Sequence, residues 1–216
     1  MGENGTAMRN TLTSRLAASL PGPPAQLRMA PRPRPDLPPS LNVEHLREAA
    51  ALLLLYEHCG EWHIPLTVRA SRLRQHTSQV SLPGGRLEAG ETPEAAALRE
   101  ASEEIGVPAS EVRVLGRLTP LPIAVSLHLL HPIVGLVDRR PQFLIAASEV
   151  ERLIEVPLSQ LRDPGAIRWE TRQRTLPPAG PMEVPYFDVA GAHVWGATAM
   201  VLAEFLDVIN DLPLQT

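Results

Sequence analysis

The chain has 216 residues, 44% of them apolar and 20% charged, with a formal net charge of −4 at pH 7. That length and composition suit a globular chain with a substantial core, and the acidic balance argues against a general nucleic-acid binder. Its one cysteine, Cys59, excludes an internal disulfide and suits a reducing, cytoplasmic setting, and no apolar run reaches the roughly 18 residues that a membrane span needs.

Residues 1–40 read as an N-terminal extension, with the domain proper at 41–213. Residues 1–8 are expected to be disordered. Asn10 to Leu20 places Leu12, Leu16 and Leu20 on one side of a short helix. Pro21 to Pro39 is rich in proline and includes Pro31-Arg32-Pro33-Arg34-Pro35. It reads as an extended strap, either a contact in a homodimer or a tail.

Arg47 to Tyr56 (REAAALLLLY) and Trp62 to Val68 are apolar segments around His58-Cys59-Gly60-Glu61. Two such segments around a turn predict a β-hairpin, with the Cys59 thiol half-buried at a strand end. Thr67 to Gly85 follows, carrying Arg69, Arg72, Arg74 and His76. Such a cationic stretch could hold substrate phosphates or form a solvated loop. Pro83-Gly84 predicts a tight turn in which Gly84 takes a positive φ and offers its carbonyl to a metal.

Gly85 to Val107 reads GRLEAGETPEAAALREASEEIGV. Thr92 is a good N-cap, Pro93 a good first residue, and Gly106 a natural stop, so a helix is predicted from Pro93 to Ile105. Glu100, Glu103 and Glu104 then lie on one helix face at i, i+3 and i+4. Three like charges there repel unless a cation joins them. Hard carboxylate oxygens suit Mg²⁺ or Mn²⁺ together with substrate phosphates. Arg99 and Glu91 read as groups that orient those ligands.

The order Gly85, Glu91, Arg99-Glu100, Glu103-Glu104, Gly106 resembles the Nudix box, G-x5-E-x7-R-E-U-x-E-E-x-G-U, with Ala101 and Val107 at its aliphatic positions. The stretch before it resembles the coenzyme A pyrophosphatase subgroup of that family. Leu66, Thr67, Arg69, Ala70, Leu73, Arg74, His76, Gln79, Val80, Pro83, Gly84 and Gly85 fit, while Ser78 and Leu82 stand where glycine and phenylalanine are usual.

After the box, Val112 to Leu118 predicts a strand, Thr119 to Val125 a loop, and Leu127 to Val137 a long apolar segment around Pro132. His128 and His131 could serve a site, but a histidine in an apolar strand is more often structural. Phe143 to Ile145 predicts a short strand, and Ser148 a cap for a helix beginning at Glu149. Ile167 to Val189 reads as two strands around a Pro-Pro-Ala-Gly-Pro loop. Val194 to Asn210 opens with Trp195-Gly196-Ala197-Thr198-Ala199, a packing signature similar to that subgroup, and continues as a core helix.

The resemblance implies an α+β, α/β/α sandwich: a Nudix fold with a mixed β-sheet between helices. It implies hydrolysis of a nucleoside diphosphate linked to another moiety, with a small-molecule substrate and no nucleic acid or membrane partner. Glu100, Glu103, Glu104 and the Gly84 carbonyl would be metal ligands. Glu103, Glu104, Arg99 and Glu149 would be the catalytic set; of Glu149, Glu151 and Glu155, which lie where the family often supplies one more carboxylate outside the box, Glu149 is the choice. Arg69, Arg72, Arg74 and His76 would bind substrate. Coenzyme A or an acyl derivative is the expected substrate, its 3′-phosphate asking for the cations at 69–74. The rivals are ADP-ribose, NADH or a nucleoside triphosphate, and a silent nucleotide-binding domain, whose expected mark would be a broken box.

Overall fold

The computed structural model describes residues 3–37, 41–70, 79–174 and 179–214. The helices are α1 (Glu3–Leu16), α2 (Pro23–Leu27), α3 (Pro93–Ile105), α4 (Leu158–Arg162) and α5 (Gly196–Val208). The strands are β1 (Arg47–His58), β2 (Glu61–Arg69), β3 (Val80–Ser81), β4 (Gly84–Arg86), β5 (Arg113–Arg117), β6 (Leu121–Ile123), β7 (His128–Leu136), β8 (Val150–Pro157), β9 (Ile167–Arg174), β10 (Gly180–Val189) and β11 (Ala192–Trp195). Among the described residues, eight strands form a sheet along β3-β2-β1-β7-β5, joined by β4, β6 and β8, while β11-β10-β9 form a second sheet.

β1 explains the sandwich. Its side chains alternate between the two faces of the sheet. Ala50, Leu52, Leu54 and Tyr56 pack with Ala96, Ala97, Ala101 and Ile105 of α3. Ala51, Leu53 and Leu55 pack with the layer that contains Ala199, Leu202 and Phe205 of α5. A strand covered on both faces reads as an unbroken apolar run, which is why REAAALLLLY shows no period. Leu52 to Leu55 are each no more than 1% exposed, and truncating one to alanine should cost about 2–5 kcal/mol. β1 pairs antiparallel with β2 and β4 and parallel with β7, so the sheet is mixed. The small Ala101 lets α3 lie close on β1.

The hairpin forms as expected, with Cys59 and Gly60 at φ 53 and 77°. Its turn leaves Cys59 exposed rather than half-buried. The expected loop at Thr119 to Val125 contains β6, which pairs with β7. Phe143 to Ile145 is a loop, not a strand: Leu144 N and, just after the segment, Ala146 N donate to the carbonyls of Ile105 and Glu104 at 3.0 Å, at the end of helix α3. No helix starts at Glu149; a turn over 147–149 leads into β8. The second strand of the 167–189 pair begins at Gly180, and Pro177 and Pro178 of its loop lie outside the described residues.

The N-terminal helix begins at Glu3 rather than Asn10. Met8, Leu12, Leu16, Met29 and Ala30 join the main core. The proline-rich stretch is not uniformly extended, since Pro23 opens α2 at its first turn. Glu204 of α5 is fully buried and accepts from Gly22 N at 3.1 Å, Gln26 Nε2 at 2.8 Å, Thr119 N at 3.2 Å and Thr119 Oγ1 at 2.6 Å. Arg15 and Arg28 pair with Asp211 and Asp207 and also reach the carbonyls of Val208 and Ala203, neutralising the carbonyl end of α5. Among the described residues no helix is long and apolar enough to cross a membrane.

Candidate active site

Helix α3 carries the site, and its ends are fixed by the residues that predicted them. Thr92 Oγ1 accepts from Ala95 N at 3.2 Å, and Gly106 closes the helix at φ 71°. Strand β4 runs beside it, and each of its residues touches one box side chain. Gly84 N donates to Glu104 Oε2 at 3.3 Å. A Cβ on Gly85 would collide with the Glu100 carboxylate. The Arg86 carbonyl accepts from Arg99 Nη2 at 3.0 Å. Gly84 does not adopt the positive φ expected of it. It must be glycine for closeness instead, since a Cβ there would strike the Ala50 carbonyl and the Ala51 Cα.

Arg99 is the hub. Nε and Nη2 donate to Glu91, while Nη1 donates to Glu100 Oε1 at 2.9 Å and Glu103 Oε2 at 3.0 Å. Glu91 also accepts from Glu88 N at 2.9 Å, and Arg99 holds its carboxyl below the usual range. The loop before α3 is thereby tied to the middle of the helix.

The carboxylates have different surroundings. Glu104 is 8% exposed. Burial pushes its carboxyl up to about 7; the Gly84 N–H opposes this, and the charges of Glu100 and Glu149 add to it. Glu100 is also raised, chiefly by burial, with Arg99 opposing and Glu103 and Glu149 contributing. Glu103 is open to solvent and turned to Arg99. Glu149 is exposed on the turn before β8. Its carbonyl accepts from Ala70 N at 2.8 Å, which joins the end of β2 to that turn. Arg69 lies at a register shift opposite Val150, and its charge acts on Glu104.

Glu100, Glu149 and Arg69 thus act electrostatically on Glu104, although the chain supplies these residues from three separate segments. Arg72, Arg74, His76 and Ser78 lie outside the described residues. His131 Nε2 is 3.4 Å from Glu48, and His128 Nε2 accepts from Arg86 Nε at 3.1 Å. Sequence reasoning missed Arg86; its one signal was its place directly after Gly85.

Among the described residues, no three acidic, imidazole or thiol side chains already stand as a metal cage. The donors nevertheless fit a hard divalent cation. They are carboxylate oxygens; Gly85 leaves the space in which Glu100 lies; and the raised Glu104 carboxyl is short of positive charge. Arg99 would compete with such an ion for Glu103.

A family model described as NUDIX domain matches residues 45–175. The chain is 36% identical over 126 residues to the uncharacterized Nudix hydrolase NudL of Citrobacter koseri, which covers 57% of this chain and 65% of that protein. It is 40% identical over 131 residues to NudL of Yersinia pestis strain Pestoides F, with coverage of 59% and 65%. The chain therefore spans 65% of the length of these curated relatives. Among solved structures, the Nudix hydrolase RenU of M. smegmatis superposes with a TM-score of 0.53 at 20% identity, over 79% of this chain and 89% of that one. This last likeness concerns the fold.

Proposed function

The chain belongs to the NUDIX domain family, and we propose that it hydrolyses the diphosphate of coenzyme A or an acyl-coenzyme A. The products would be 3′,5′-ADP and 4′-phosphopantetheine or its acyl form. The carrying observation is the pair Glu100 and Glu104 on one face of α3, both raised chiefly by burial, with the charge of Glu149 adding to each. The coenzyme A assignment is supported by the likeness of Leu66 to Gly85 to that subgroup.

Glu100, Glu103, Glu104 and the Gly84 carbonyl would hold Mg²⁺ or Mn²⁺. When bound, the ion supplies neutralisation of phosphate charge and a lowered pKa for water. Arg99 keeps Glu100 and Glu103 oriented, and Glu91 keeps Arg99 from rotating. Glu149 takes the proton of the attacking water; Glu103 and Glu104 are the other carboxylates within the set. Arg69, with Arg72, Arg74 and His76, neutralises the substrate phosphates. Water adds across one P–O bond, the proton passes to the carboxylate base, and the leaving phosphate departs with the bridging oxygen.

The test is turnover, with Mg²⁺ or Mn²⁺, of coenzyme A, acetyl-coenzyme A, 3′-dephospho-coenzyme A, ADP-ribose, NADH and dGTP, with products separated by chromatography. Preference for coenzyme A with release of 3′,5′-ADP supports the assignment. Preference for ADP-ribose, NADH or dGTP keeps the site chemistry and rejects this substrate. Absence of turnover on every member rejects the proposal.

A further inference from the structure

We propose that Arg86, held by His128 and joined by Arg47, forms an anion subsite for a phosphate monoester of the substrate, distinct from the diphosphate under attack. The assignment presupposes a substrate of the coenzyme A type, as proposed for this chain.

The three residues meet through sheet register. Arg86 lies opposite Ala49 across the β4–β1 pair, and Arg47 lies opposite His128 across the β1–β7 pair. Gly85 faces α3, because a Cβ there would meet Glu100. Alternation therefore sends Arg86 to the other face, with Ala49 and Arg47. Arg86 nonetheless belongs to the strand that touches the carboxylates, and its own carbonyl holds Arg99. Among the described residues β4 pairs with β1 alone. Arg86 thus stands one residue from Gly85, on the opposite face of a three-residue strand from the carboxylates.

The Arg86 guanidinium is already oriented. Its Nε donates to His128 Nε2 at 3.1 Å. Accepting that bond requires an unprotonated Nε2. Burial, followed by the charges of Arg86 and Arg47, holds His128 below its usual range. With Nε engaged, Nη1 and Nη2 remain for a forked contact with phosphate. Among the described residues, neither Arg86 nor Arg47 lies in an ion pair, whereas Arg15, Arg28, Arg99, Arg117 and Arg140 do.

Arg69 has other work. Its charge acts on Glu104, so it stands beside the carboxylates and the diphosphate they would engage. Among the described residues, Arg86 is a further exposed and oriented cation on the strand next to them, placed to meet a second phosphate on the same substrate.

The test compares binding of adenosine 3′,5′-bisphosphate with AMP by calorimetry, using the full chain, Arg86→Gln, His128→Ala and His128→Gln. The original chain should bind the bisphosphate about tenfold or more tightly than AMP, the value of a charged hydrogen bond. Arg86→Gln should bring the ratio near one. His128→Ala should lower it, and His128→Gln, which keeps an acceptor for Arg86, should restore part of it. An unchanged ratio in Arg86→Gln, or no discrimination by the original chain, overturns the subsite. Arg86 is exposed, so its glutamine variant should fold and alone decides the matter if the histidine variants do not. Discrimination that is lost in Arg86→Gln, in a chain that leaves coenzyme A intact, rejects the substrate and upholds the subsite. Hydrolysis of coenzyme A with an unchanged ratio in Arg86→Gln rejects the subsite alone.

Discussion

Arg99 grips both oxygens of Glu91, Nε to Oε1 at 3.0 Å and Nη2 to Oε2 at 3.1 Å. The same side chain reaches Glu100 and Glu103, so one guanidinium sets the positions of three carboxylates. A lysine ammonium is a point charge without this fork. Arg99→Lys should therefore lower Mn²⁺ affinity by about 10–100-fold, the usual cost of losing a group that orients ligands. Calorimetric titration with Mn²⁺ checks this, and circular dichroism should show the helices retained.

The two glycines of β4 should fail differently. A Cβ on Gly85 meets the flexible end of Glu100, which can swing aside. Gly85→Ala should leave the melting temperature nearly unchanged while reducing turnover at least about tenfold, through displaced Glu100. A Cβ on Gly84 meets backbone at Ala50 and Ala51. Gly84→Ala should cost about 1–3 kcal/mol or more by overpacking. Thermal melts and initial rates on the same preparations separate the two effects.

Glu104 links stability to pH in the metal-free chain. Its folded carboxyl titrates at about 7, above the ordinary value of 4.5. The folded state thus binds this proton more tightly than the unfolded state. The associated stability is fully present below about 4.5 and lost as pH rises through about 7. Above that range, ionised Glu104 destabilises the fold by roughly 3 kcal/mol. Glu104→Gln in excess chelator should therefore melt higher than the original chain at pH 8.5, with the difference shrinking toward pH 5. A Glu104→Gln variant less stable at pH 8.5 would contradict the strain assigned to this carboxylate.

Glu204 should matter to stability and to the N-terminal segment together. Removing it leaves the donors at Gly22, Gln26 and Thr119 without their shared acceptor. Glu204→Ala should cost at least about 3 kcal/mol from unsatisfied groups and a cavity. Trypsin should then cut faster after Arg28, which Met29 follows. Denaturant melts and timed proteolysis read the two consequences independently.

The central helix was legible because its signals are local: Thr92, Pro93 and Gly106 mark its ends, and the carboxylate spacing marks its face. The β1–β2 hairpin was legible for the same reason. β6, β8 and β11 were not read as strands, because their pairing depends on β7, β2 and β10, partners distant along the chain or beyond a turn. The loop at Phe143 to Ile145 looked like a strand from its apolar residues, but Leu144 N and, just after the segment, Ala146 N go to carbonyls at the end of α3. Gly84 was read through turn chemistry, whereas strand pairing with β1 decides its role. Arg86 and His128 are 42 positions apart, and nothing in either residue's neighbourhood announces the other. The N-terminal segment carried helical spacing at Leu12 and Leu16, but Gly22 and Gln26 beyond it attach through Glu204, 182 and 178 positions along the chain.

The most direct test of the central claim, that the α3 carboxylates drive hydrolysis of coenzyme A, is turnover by the original chain and Glu103→Gln with saturating Mg²⁺ or Mn²⁺. Glu103 is exposed, so its exchange should spare the fold. The original chain should release 3′,5′-ADP and 4′-phosphopantetheine, and the variant should be slower by at least about 100-fold. Equal rates in the two proteins, or intact coenzyme A with both, would contradict the account.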